Sequence, residues 1–163
     1  MKAVTLTQPW ATAVARGAKR IETRSWGTRH RGWILIHAAK GSPAGQLLDL
    51  GCCWNWCAVL GTVMGGPPLS EILSFGAIIA SARLVDCRPT ASLTVAELDM
   101  PRRNSAREPV HLYEWTERQL GDFSPGRWAW IFDMVEPLGP VPTRGALGLW
   151  EYRGPLDLAG TRA

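Results

Sequence analysis

The chain has 163 residues, with 18 lysines and arginines against 14 aspartates and glutamates, for a formal net charge of +4. That length holds one compact domain and leaves little room for a second core. No stretch approaches the roughly 18 consecutive apolar residues of a membrane helix, and Gln8 and Pro9 come too early for a secretory core, so a cytoplasmic protein without a membrane partner is expected.

The mildly basic balance, with a pI near 9.2, favours a polyanionic partner. Nine tryptophans are present. A buried indole N–H needs an acceptor, so most are expected in the protein wall, and an exposed one offers a flat face for a base. Cys52, Cys53, Cys57 and Cys87 are expected as reduced thiols. "GCCWNWC" lacks the paired C-x-x-C knuckles of a zinc site, so no metal is expected.

In chain order, "AVTLTQP" reads as a short strand ended by Pro9, followed by a helix that starts near Trp10 and stops at Gly17. "RIETRSW" alternates as a strand, "GTRHRG" is a basic turn, and "WILIHAA" is a buried strand. Residues 41–74 read as a helical insertion, after which "FGAIIASARLVDC" resumes strand character. The polar stretch that follows predicts a helix around Val95–Leu98 and another around Val110–Leu120. "RWAWIFDMVEPLG" and "ALGLWEYR" predict two strands joined by a proline-rich loop, and residues 154–163 a frayed tail. Strands interrupted by short helices and glycine corners point to an α+β, mainly β architecture: a small closed or half-closed barrel of about five or six strands with helices on its rim.

The chemistry concentrates at "GAKRIETRSW", residues 17–26. If Ile21 begins a strand, Glu22 and Arg24 share a face and Lys19 lies in the loop just before it. Two cations around one carboxylate suit recognition of a phosphate or a polar base edge, with the arginine as a bidentate clamp. A desolvated Lys19 would also suit proton transfer. The bland alternative is a rim ion pair contributing under about 1 kcal/mol.

The stretch "LTQPWATAVARGAKRIETRSWGTRHRGWILIHAAK" resembles the opening of the ASCH domain family, a branch of the PUA-like barrels. Gln8, Pro9, Trp10, Gly17, Lys19, Glu22, Arg24, Trp26, Ile36, His37 and Ala38 stand in the family's order. "GAIIASARLVDC" and "PVPTRGALGLWEY" are similar to its central and closing strands. The resemblance implies one ASCH domain over residues 1–153 and a PUA-like barrel. It also implies binding of RNA, or of a modified nucleoside or nucleotide, in a cleft lined by the lysine-bearing corner. Lys19, Glu22 and Arg24 are its expected core, supported by Gln8, Trp10 and His37, with Arg29 and Arg31 extending a phosphate track.

Some family members are ribonucleases, and a short branch deacylates N4-acetylcytidine with a lysine, a threonine three residues later and a downstream glutamate. Here Lys19 matches the lysine, Glu22 occupies the threonine position, and the downstream acid is either Glu97 or Glu108. If the protein is a hydrolase, Lys19 and Glu22 are the expected catalytic pair. A third reading is an interaction module docking through Trp54 and Trp56. No Walker or G-x-G-x-x-G loop and no G-x-S-x-G elbow occurs, so no cofactor is expected.

Overall fold

The computed structural model describes residues 1–41, 73–101 and 115–156. Cys52, Cys53, Cys57, Trp54, Trp56, Arg102, Arg103, Arg107 and Glu108 lie outside the described residues. Six strands form one sheet: β1 Lys2–Leu6, β2 Ile21–Arg24, β3 Gly32–Ala38, β4 Ala77–Pro89, β5 Trp128–Pro142 and β6 Leu149–Glu151. Their order is β2-β5-β4-β3-β1-β6, and the sheet curls into a half-barrel. The β1–β3 pair is parallel and the other pairs are antiparallel. Among the described residues two short α-helices, α1 Trp10–Ala15 and α2 Val95–Asp99, accompany the sheet, in keeping with the expected α+β fold.

The parallel β1–β3 pair requires a crossover, and α1 supplies it. Ala11, Ala13, Val14 and Ala15 are small enough to lay α1 close on the sheet, against a core containing Val4, Leu6, Ile34, Ile36, Trp130 and Phe132. Gly17 ends α1 at φ +70, a backbone region that glycine enters without steric cost. The chain then doubles back, with the Lys19 N–H donating to the Ala13 carbonyl at 3.0 Å. That reversal sends the Lys19 side chain inward.

Two sequence expectations differ from the structure. Of the helix expected around Val110–Leu120, the described part is a β-bridge at Trp115 and a single 3-10 turn, Glu117–Leu120. The expected proline-rich loop after residue 136 is instead the second half of β5. β2 pairs only with Trp128–Ile131, so beyond it the described partner of β5 is β4. Pro137, Pro140 and Pro142 fall in this one-sided stretch, where a missing N–H is tolerated.

Candidate ligand cavity and the charged corner

The corner at residues 18–21 is clamped by a segment about a hundred residues away. The Trp115 indole N–H donates to the Ala18 carbonyl at 3.1 Å. The Glu117 carboxylate accepts from the Arg20 N–H at 2.7 Å and the Ile21 N–H at 3.2 Å. Lys19 closes the clamp from the other side, its Nζ donating to the carbonyls of Ile21 at 2.5 Å and Leu120 at 2.8 Å. Lys19 and Glu117 are both 0% exposed. Desolvation pulls the Lys19 pKa below its ordinary value, opposed by the nearby Glu22 and Glu117 carboxylates.

Glu22 connects this buried post to the surface. Its Oε2 is 3.8 Å from Lys19 Nζ and its Oε1 is 3.4 Å from Arg24 Nε. Arg24 is fixed in turn by donating to the Thr5 carbonyl at 2.5 Å. The strand register therefore brings Lys19, Glu22 and Arg24 together as alternation predicts, but at different depths.

Two neighbouring cavities open beside these three side chains. The larger, about 940 Å³, is lined by Thr5, Thr7, Glu22, Arg24, His37, Ala39, Lys40, Phe75, Gly76 and the 143–148 loop. Among these described residues three cations, Arg24, Lys40 and Arg144, face one carboxylate, Glu22. Its size falls within the range of ligand pockets. The smaller, about 370 Å³, is lined by Thr7, Trp10, Glu22, Thr23, Gln119, Leu120, Gly121, Asp122 and Arg127. Thr7 and Glu22 are common to both.

His37 reaches the large cavity by simple alternation: it shares the Leu35 face of β3 and stands beside Thr5 of β1, which also lines the cavity. The residue is 1% exposed and its Nε2 lies 3.1 Å from the Thr143 carbonyl. A carbonyl only accepts, so Nε2 carries the proton and the neutral ring leaves Nδ1 as an acceptor. Burial lowers the His37 pKa, offset in part by the Thr143 bond. Gly145 packs over the ring so closely that a Cβ there would lie 2.5 Å from Cε1 and 2.6 Å from Nδ1.

The remaining expected residues fall elsewhere. Lys19 lines neither cavity. It lies beneath the floor of the small one, where a Cβ on Gly121 would come within 3.2 Å of its Nζ. Gln8 is 1% exposed and holds the chain together: its Nε2 donates to the Ser74 carbonyl at 2.7 Å and its Oε1 accepts from the Thr12 N–H at 3.1 Å. Trp10 lines the small cavity. Arg29 and Arg31 precede β3, about 20 Å along the strand from His37 at ~3.3 Å per residue. Arg31 is 3.1 Å from Asp86.

Glu97 also lies outside both cavities: it forms a capping box with Thr94 and an ion pair with Arg88. Cys87 is buried, and no cluster of three or more metal-ligating side chains occurs among the described residues. No helix among them is long and apolar enough to cross a membrane.

Lys40, Phe75 and Arg144, which line the large cavity, and Glu117, which clamps the corner, do not stand out from the sequence pattern. Arg144 carries a usable signal, a cation beside Gly145 in a loop that leads into a strand. Lys40 follows the I-H-A run by two residues. Glu117 has no comparable signal.

A family model, the ASCH domain, matches residues 4–122. The chain belongs to the ASCH domain family. A segment of 38 residues is 58% identical to human activating signal cointegrator 1, covering 22% of this chain and 6% of that protein. The mouse protein of the same name is 46% identical over 43 residues, 26% of this chain and 7% of its own length.

Proposed function

We propose that this ASCH domain binds single-stranded RNA, or a nucleotide-like ligand, in the large cavity beside β2 and β3. The observation that carries the reading is the cavity's lining: among the described residues, Arg24, Lys40 and Arg144 against the single carboxylate of Glu22, with Phe75 among the walls. Cations recruit the phosphate, an aromatic face accepts a base, and a carboxylate accepts from a base edge or a hydroxyl. Lys40 and Arg144 are exposed and free to track a backbone, whereas Arg24 is fixed by Thr5 and Glu22 for oriented contact. Lys19 acts as a post that holds Glu22 and the 117–120 turn.

The hydrolase alternative gains no support from this geometry. It needs Lys19 beside the substrate, and Lys19 lines neither cavity.

The test is fluorescence anisotropy with a labelled RNA of about eight nucleotides, titrated from low to moderate salt. Wild type is expected to bind with a steep salt dependence. The double variant Lys40→Ala/Arg144→Ala is expected to flatten the log–log slope by about 1.4, near 0.7 for each phosphate that is no longer neutralised. An unchanged slope and affinity in the double variant would refute the assignment.

A further inference from the structure

We propose that the small cavity is a base subsite continuous with the large one, and that it takes a nucleobase carrying an exocyclic amino group; this rests on the ligand class proposed above. The two cavities meet at Thr7 and Glu22, so a ligand extending from one into the other passes the Glu22 carboxylate. A carboxylate there repels phosphate and accepts from N–H or O–H donors.

Among the described residues that line them, the charge of the two cavities differs in sign. In the small one a single cation, Arg127, faces two carboxylates, Glu22 and Asp122, among the described residues. That cation is already engaged, 3.3 Å from Asp122 Oδ2 and donating to the Thr23 carbonyl at 3.2 Å. Phosphate therefore belongs in the large cavity and is disfavoured in the small one.

What the small cavity offers is a stacking wall and acceptors. Trp10 supplies a half-buried indole, which suits any base. Its volume lies at the lower end of ligand-pocket sizes, a fit for one base. Asp122 is held ionised at neutral pH by hydrogen bonds from Ser124 and by Arg127. Cytosine N4, adenine N6 and guanine N2 present donors to such carboxylates, whereas uracil presents a carbonyl at the position of the cytosine amine.

Labelled oligocytidylate, oligoadenylate and oligouridylate of about eight nucleotides, titrated by anisotropy at one low salt concentration, test this. Oligocytidylate and oligoadenylate are expected to bind about fivefold or more tightly than oligouridylate, the scale of one added charge-assisted hydrogen bond. Asp122→Asn is expected to narrow that ratio without weakening oligouridylate. Equal affinity for all three, or a preference that Asp122→Asn leaves intact, would overturn the base subsite while the cationic cavity stands. Failure of all three to bind at low salt would overturn the ligand class itself, and the subsite with it.

Discussion

Replacing Lys19 with methionine separates a structural post from a ligand contact. The methionine keeps most of the buried stem but removes the ammonium that bonds the carbonyls of Ile21 and Leu120. Two buried acceptors are then orphaned, at about 1–3 kcal/mol each. Glu22 also loses the partner 3.8 Å from its Oε2, and the wholly buried Glu117 loses a favourable charge. Against this, the cost of burying an ammonium disappears.

Breaking one side of a buried charge cluster usually costs about 3–5 kcal/mol, and we expect about 3 kcal/mol here after that offset. For a domain of this size that lowers the urea midpoint by about 1–2 M, read from the intrinsic tryptophan fluorescence. RNA affinity measured where the variant is still folded should keep the wild-type salt slope. A loss below about 1 kcal/mol together with a slope reduced by about 0.7 would show that Lys19 contacts phosphate, and would refute the reasoning.

Further outcomes follow from the same geometry. Gly145→Ala places a methyl 2.5 Å from His37 Cε1 and 2.8 Å from Thr5 Oγ1, so it should cost about 1–3 kcal/mol and lower the melting temperature by several degrees; an unchanged melt would contradict the packing. Glu117→Gln presents an amide where the Arg20 and Ile21 N–H groups need acceptors, and a loss of about 2 kcal/mol is expected in urea unfolding. His37 has a folded pKa below its unfolded value of 6.5. Between those two values the unfolded chain binds a proton that the folded chain does not, so stability falls as pH drops through that window, by at most about 1.4 kcal/mol per pH unit. His37→Gln should remove that share of the acid sensitivity in urea midpoints compared at about pH 7.5 and about pH 5.5.

Much of this geometry follows from local chemistry that a sequence displays. The apolar run Ile34–Ile36, the break at Gly17 and the alternation through Ile21–Arg24 each act over a few residues, and they set the strand that carries Glu22 and Arg24. Depth was not legible. Whether Lys19 meets solvent depends on the Leu120 carbonyl and the Glu117 carboxylate, about a hundred residues away, and no spacing within 17–26 encodes that closure.

The cavity's cations divide in the same way. Arg24 is placed by its strand, whereas Lys40 and Arg144 meet only because β3 and the loop after β5 converge at one end of the sheet. The persistence of β5 through its prolines depends on where β2 ends, a property of the neighbour and not of the proline-rich segment. The basic turn at Arg29–Arg31 looks in sequence like an extension of the corner, but β3 carries it to the opposite end from His37.

The most direct test of where the ligand binds is amide chemical-shift mapping of the isotope-labelled domain during titration with a short single-stranded RNA. Binding in the large cavity predicts the largest shifts at Gly76, Gly145 and Gly148, with Gly32 and Asp86 near the basic turn unmoved. Shifts concentrated at Thr28, Gly32 and Asp86, with the 143–148 loop silent, would place the RNA on the Arg29–Arg31 turn and contradict the assignment of the cavity.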